Sequence, residues 1–293
     1  MPKRAMGSRG FEYSRIPVRV SEDMFERFVL PCLSMPRRGP QCKIGYFKLF
    51  NYVLRVLHTG MQWFELPIDK DADGKPEIHY TVVYKRFARW ADDGSLSQFF
   101  ETTVRYLNDA GELDVSVLHG DGSNTVAKKG GDGIGYSGHK KHKGEKIVPI
   151  VDLNGNVIAP HTVAPANVHD TTLLRDSLRD LMRIARENDI SLQGTLLNLD
   201  GAFDSRKNRK AIFNRGIVPN IPENKRNRKR AKPGPKRLFD PALHTLRLAV
   251  ERTFAWEDKF RRCLLRFERI QSRYMGFKLI AYALINLRRL CAA

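Results

Sequence analysis

Three acidic side chains stand where this chain can do chemistry. In VSVLHGDGSNT (115–125), Val115, Val117 and Leu118 form a short apolar run that ends at Asp121, just before Gly122, Ser123 and Asn124. That pattern predicts a buried strand that stops as its carboxylate emerges. TLLNLDGAFDS (195–205) repeats it, with an apolar run ending at Asp200 and Gly201 behind. Asp204 competes for the same role, and Asp200 is preferred because it directly follows the apolar run, as Asp121 does. The third acid, Glu251, lies in LHTLRLAVERTFAW (243–256), a segment with helical spacing. A carboxylate at the mouth of a core strand is costly unless a cation meets it. Hard divalent cations take oxygen ligands, and two of them about 4 Å apart activate a hydroxyl and stabilise a leaving oxygen at a phosphodiester.

The elements that must hold these acids can be traced in order. Residues 1–20 are basic and mostly aperiodic, a mobile arm. Ser21 caps an amphipathic helix through Met24, Phe25, Phe28 and Val29 that ends near Pro31. MPRRGPQ breaks the chain, YFKLFNYVLRVLHTG (46–60) resumes helical spacing up to Gly60, and 66–77 reads as a surface loop. Thr81 is the expected cap of VVYKRFARWADDGS, with Val83, Phe87 and Trp90 inward and Lys85, Arg86 and Arg89 outward. A helix, a break and a basic second helix suit a helix-turn-helix reader of DNA, or equally a solvated bundle face. LSQFFETTVRYLNDAG (96–111) closes this all-α region at 21–112, and 111–114 is the expected joint to a second domain at 113–293.

In that domain, a glycine-rich basic loop carrying Lys128 and Lys129 follows Asp121. It holds no GxxxxGK[ST] match, so a nucleoside-triphosphate site is not indicated. KIVPIVDLNGNVIAPHTV (146–163) reads as two strands around Asn154-Gly155. Asp170 is the expected N-cap of a helix through Leu173, Leu174, Leu178, Leu181 and Ile184. RKNRKAIFNRG (206–216) is a helix, and IVPNIPEN (217–224) an edge-like strand. The stretch 224–237, including Arg228, Lys229 and Arg230, holds eight Lys or Arg in fourteen residues and cannot enter a core. Lying between two candidate carboxylates, it is expected to contact phosphates.

On the last candidate helix, Leu246, Val250 and Phe254 stay within about 60° of Leu243, which predicts a buried stripe. His244, Arg247 and Glu251 fall together on its flank. Arg247 and Glu251 are spaced to form a surface ion pair worth under about 1 kcal/mol, or to aim an arginine at a phosphate and a glutamate at a metal.

Composition narrows the partners. The chain has 293 residues with 51 Lys or Arg against 32 Asp or Glu, a net charge of +19. That surplus implies a polyanion, nucleic acid before an anionic membrane. The longest apolar run, LIAYALINL (279–287), is about half a membrane span, and no signal segment opens the chain, so a soluble, membrane-free protein is expected. Cys32, Cys42, Cys263 and Cys291 are far apart and are read as reduced, structurally incidental thiols. His139 and His142, without a second ligand pair, are read as solvated loop residues rather than a metal site.

Taken in order, GDGSNT, KIVPIVDLNGNVIAP, ANVHD, LNLDGAFDS and Arg247-x3-Glu251 resemble the DDE transposases of bacterial insertion sequences, in the branch grouped as families four and five. YVLRVLHTGMQWFELP (52–67) and TVVYKRFARWADDG (81–94) resemble the helical leader of that branch, so the likeness covers about 45–290. The resemblance implies an α/β fold in which a small all-α domain precedes an RNase H-like catalytic domain, a mixed sheet flanked by helices. It implies Asp121, Asp200 and Glu251 as catalytic and metal-holding residues for two Mg²⁺ or Mn²⁺ ions. The implied activity is cleavage of element ends in double-stranded DNA and strand transfer into a target, in bacterial cytoplasm at the nucleoid, with a homodimer in synapsis. Arg247, Lys259 and the 224–237 loop would hold DNA. The branch expects Tyr and Lys on the last helix where this chain has His244 and Asp258, with Lys259 one residue later. Two other readings remain: a non-catalytic DNA binder derived from such an enzyme, and an RNase H-like nuclease that does not join strands.

Overall fold

The computed structural model describes residues 16–36, 42–160, 163–224 and 238–290. Ser21 caps α1 (Glu22–Met24), its Oγ accepting from the Met24 N–H at 3.2 Å, and the helical path continues through Phe25–Val29 and Leu30–Cys32. α2 (Tyr46–Thr59) stops at Gly60, whose φ of +72° only glycine adopts without strain. α3 (Tyr80–Asp92) is capped by His79 rather than Thr81: the His79 Nδ1 accepts from the Thr81 N–H at 3.4 Å. A ring nitrogen two residues upstream takes the place expected for the hydroxyl. α4 (Ser95–Asp109) completes the leader.

Among the described residues ten strands follow, interleaved with helices. They are β1 (Val117–Gly120), β2 (Ser123–Ala127), β3 (Gly135–Ser137), β4 (His142–Ile147), β5 (Ile150–Val151), β6 (Val157–Ala159) and β7 (Val163–Pro165), then α5 (Asp170–Glu187), β8 (Leu196–Asn198), α6 (Arg206–Phe213) and β9 (Val218–Asn220). The chain closes with α7 (Pro241–Thr245), α8 (Leu248–Glu257), α9 (Arg261–Leu264), β10 (Leu265–Arg266) and α10 (Gln271–Leu290).

The principal sheet has the order β6-β5-β1-β8-β9. β5 runs antiparallel to both β6 and β1, while β1, β8 and β9 are mutually parallel. A three-strand meander continued by two parallel strands is the RNase H-like arrangement. The β5–β6 hairpin turns through Asn154 and Gly155, with Gly155 at φ +79°. Pro219 lies in β9 at the sheet edge, where its missing N–H breaks no ladder.

The glycine-rich segment after β2 is not a loop throughout. β3 and β4 pair with each other, and β4 joins β2, β7 and, through β2, β10 in a second sheet. Gly144 makes the pairing possible, because a Cβ there would collide with the Thr125 carbonyl. Arg266, wholly buried, locks this sheet by ion pairs to Glu145 at 2.5 Å and Asp132 at 2.7 Å.

The candidate helix at 243–256 is two helices, α7 and α8, with a turn at Leu246 and Arg247. The predicted stripe is therefore interrupted: Val250 is buried, but Leu246 is 38% exposed. α10 carries the long apolar run and is buried from Tyr274 to Arg288, as a helix apolar on every side must be. It packs against α3, α4 and α8. Phe277 stacks on Phe87 with ring centroids 4.2 Å apart, so the C-terminal helix fills the core of the helical leader. Asn286 joins leader and sheet, donating to Thr103 Oγ1 and bonding both backbone groups of Val157. Among the described residues, no helix is long and apolar enough to cross a membrane, and Cys32, Cys42 and Cys263 are free thiols. Cys291 and most of the arm at 1–20 lie outside the described residues, as does 225–237 of the basic loop.

Candidate active site

β1 and β8 are parallel neighbours in the register Val117–Leu196, Leu118–Leu197 and His119–Asn198. Continuing two residues brings Asp121 opposite Asp200, each on the sheet face shared with His119 and Asn198, because side chains alternate along a strand. Asp121 carries the electrostatic mark of its neighbours. Burial raises Asp121 above the ordinary carboxylate range, Arg247 and the Gly122 N–H oppose that rise, and Asp200 and Asp170 add to it.

Arg247 meets Asp121 directly, its Nη2 donating to Oδ2 at 2.7 Å. The pairing with Glu251 that helical spacing allowed is therefore replaced by one from the α7–α8 turn to the end of β1. Asp200 accepts from the Ala202 N–H and caps the short turn Gly201–Phe203. Asp204 has a different part: its side chain is fully buried, paired with Arg209 Nε at 2.9 Å and accepting from the Asn224 N–H at 3.1 Å.

Glu251 is exposed in the first turn of α8, one turn beyond Arg247. Among the described residues, no three His, Cys, Asp or Glu side chains are gathered closely enough to hold a metal ion. The structure thus brings Asp121 and Asp200 to matching strand ends and leaves Glu251 exposed on the adjoining helix, outside any three-ligand group. His244 faces the site's edge, with Nε2 3.3 Å from the Leu199 carbonyl oxygen.

The cationic residues are dispersed. Lys85 and Arg89 are exposed on α3, with Arg89 Nε 3.8 Å from Asp93, while Arg86 lies over the Tyr46 ring at 5.4 Å. Lys128 and Lys129 are exposed beyond β2, and Lys129 lines a cleft of about 460 Å³ with Trp63, Phe64 and Phe267. Lys259 is exposed, its Nζ 3.5 Å from the Ile16 carbonyl. Arg228, Lys229 and Arg230 lie outside the described residues.

Asp170 corrects an expectation. His169 occupies the N-cap of α5, and Asp170 is the first helical residue, its carboxylate on Lys146 Nζ at 2.7 Å and packed against Gly122. A third carboxylate is thereby set beside Asp121. Cap chemistry explained Asp170 too easily for its position to be seen. A cleft of about 490 Å³ opens there, lined by Gly122, Asn124, Lys146, His169 and Asp170 among others. His119, Asn198 and Asn220 were also missed as site residues. The signal was present in the period of two, which puts His119 on the face of Asp121 and Asn198 on that of Asp200.

Burial first, then Arg247, Arg252 and His244, push the His119 pKa down from 6.5 to about 4. The unfolded chain takes up that proton before the folded one, so the stability contributed by neutral His119 is lost as pH falls from 6.5 toward 4. In NMR titration, the His119 ring is expected to stay neutral at about pH 6 and to change only near pH 4.

The model of the transposase DDE domain matches residues 108–284. The chain belongs to that family. Within it, the chain is similar to a sequence assigned to the transposase of insertion sequence element IS402 in Burkholderia cepacia, 32% identical over 143 residues. That match covers 48% of this chain and 62% of the relative. Structural overlap with the Mos1 transposase paired-end complex with left transposon end has a TM-score of 0.27 at 10% identity, covering 64% of this chain and 61% of that one. A pre-cleavage Mos1 transpososome gives a TM-score of 0.27 at 10% identity over 89% and 82%. Overlap at that level assigns nothing to individual residues. Membership of the transposase DDE family rests on the domain match alone.

Proposed function

We propose that this chain binds the ends of an insertion sequence in double-stranded DNA and catalyses metal-dependent cleavage and strand transfer, with Asp121, Asp200 and Glu251 as the catalytic carboxylates. The observation that carries this is the pair of aspartates at matching ends of two parallel strands, with a cation already drawn to one of them. The donor set suits Mg²⁺ or Mn²⁺: carboxylate oxygens, one of them held away from water, in a place that attracts positive charge. Asp121 and Asp200 would hold the metal, and Glu251 of α8, which is not gathered with them among the described residues, is proposed as the third carboxylate. A bound divalent ion supplies Lewis-acid polarisation of the scissile phosphate and a more acidic attacking hydroxyl.

The chain's own groups do the rest. Arg247, freed from or shared with Asp121, neutralises charge on the phosphate oxygens. Sequence-independent grip on the duplex falls to Lys85, Arg86, Arg89, Lys128, Lys129, Lys259 and the 224–237 loop, with two copies meeting when two ends are synapsed. The helical leader at 21–112 presents α3 to DNA, and 113–293 carries the chemistry.

The test is incubation of the full chain with DNA ends flanking its own locus and Mg²⁺ or Mn²⁺, followed by sequencing of the products. Joined strands support the proposal. Nicks without joining favour an RNase H-like nuclease, and binding without nicks a non-catalytic DNA binder. Affinity should also fall with salt along a log–log slope near −0.9 for each phosphate neutralised. A flat response in a binding titration would exclude the basic surface as the DNA contact.

A further inference from the structure

α7 buries none of its residues, yet it precedes the turn that delivers Arg247 and Glu251 to the site. What holds it is polar. His119, Asn198 and Asn220 occupy matched register positions on β1, β8 and β9 and are 0%, 0% and 2% exposed. Asn198 Nδ2 lies 3.3 Å from His119 Nδ1 and donates to the Leu243 carbonyl at 2.7 Å. Asn220 Nδ2 donates to Asn198 Oδ1 at 2.7 Å and to the Asp240 carbonyl at 3.0 Å, while its Oδ1 accepts from the Asp240 N–H at 2.8 Å. Asn220 thus engages both backbone groups of Asp240, as an extra strand would. Asp240 in turn caps α7, its Oδ1 accepting from Ala242 at 2.8 Å and Leu243 at 3.1 Å.

Three asparagine or histidine side chains buried along the parallel half of the sheet, from β1 out to the edge strand β9, are expensive to bury without a purpose, since apolar residues fill such positions at no desolvation cost. Their bonds end on backbone groups of the segment that carries Arg247. We propose that Asn198 and Asn220, stacked on His119, are positioning residues that dock α7 onto the sheet and so set Arg247 and Glu251 over the paired aspartates. This rests on the transposase chemistry proposed above, because it assigns Arg247 and Glu251 to that site. The ladder acts through the α7–α8 segment and touches no substrate.

The test uses the full chain with Asn220→Asp, which keeps shape and the Asp240 N–H bond but sets a carboxylate against the Asn198 and Asp240 oxygens. Asn198→Ser is the second variant, in case the first does not fold. Ile212→Ala, on the buried face of α6, serves as the destabilised control. Single-turnover nicking with Mg²⁺ should fall roughly 10–100-fold in the ladder variants, as losses in supporting shells do, while DNA affinity measured without metal stays within about twofold of the parent protein. Amide exchange at 240–251 should quicken about tenfold, the equivalent of one lost hydrogen bond, with β1 and β8 unchanged. Exchange at 240–251 equal to the parent protein's would overturn the proposal. So would nicking that falls no further than in Ile212→Ala at matched melting temperature. If the parent protein does not nick DNA, the chemistry fails on its own, and the exchange measurement still decides whether the ladder holds the segment.

Discussion

Asp200→Asn is expected to abolish DNA cleavage while leaving DNA bound, and Asp121→Asn to do the same. Both replacements keep the shape and the hydrogen bonds to Gly122 or Ala202 and remove the charge. The loss of a metal-holding oxygen costs several kcal/mol at the transition state, so a fall of about 10³-fold in the single-turnover rate is expected. Affinity should hold or rise, because one negative charge leaves the neighbourhood of the phosphates. Asp200→Asn is the cleaner of the two, since Asp121→Asn also strips Arg247 of its ion-pair partner. Cleavage within a few-fold of the parent rate would remove the substituted aspartate from the active site. Glu251→Gln, measured in the same assay, decides whether the exposed glutamate on α8 shares the work.

Lys278→Met is expected to destabilise the fold by about 3–5 kcal/mol, because it strands a buried carboxylate. Lys278 Nζ rests on Glu257 Oε1, and the Tyr282 hydroxyl donates to Oε2 at 2.9 Å. Lys278 is 1% exposed and Glu257 5%. Removing the cation leaves the carboxylate with one hydrogen bond and no compensating charge. Replacing both ends, as Glu257→Leu with Lys278→Met, should recover most of the loss, since an apolar pair of similar volume asks for no desolvation. Urea unfolding of the parent protein and the two variants measures the difference. A single variant as stable as the parent would mean that water reaches the pair. The cluster ties α8 to α10, so the helix bearing Glu251 is braced from behind by a group wholly inside the protein.

The aspartates were legible because a strand end announces itself locally: an apolar run, an acid, then glycine. The β5–β6 hairpin at Asn154-Gly155 and α4 were legible for the same reason, each carrying its turn or its period within a few residues. Thr81 and Asp170 misled because hydroxyl and carboxylate caps are the common ones, and here two histidines, His79 and His169, take those positions. The second sheet was hidden by its own glycines: Gly135 and Gly144 erase the alternation that marks a strand while permitting the close backbone approach that builds it. The break at 246–247 was hidden because helical spacing continues across it, although α8 buries Ala249 and Val250 while α7 buries none of its residues.

By itself the amino-acid sequence determined the α/β class, the strand-end placement of Asp121 and Asp200, the helical setting of Glu251 and the excess of positive charge, because each depends on residues adjacent in the chain. Tertiary structure alone decided that Arg247 turns to Asp121, that Asp170 comes to lie beside it, that a ladder of His119, Asn198 and Asn220 runs under α7, and that α10 returns to fill the helical leader. Those outcomes join groups as many as 190 residues apart, such as Phe87 and Phe277. They are settled by which faces must leave water together, a quantity that no local pattern contains.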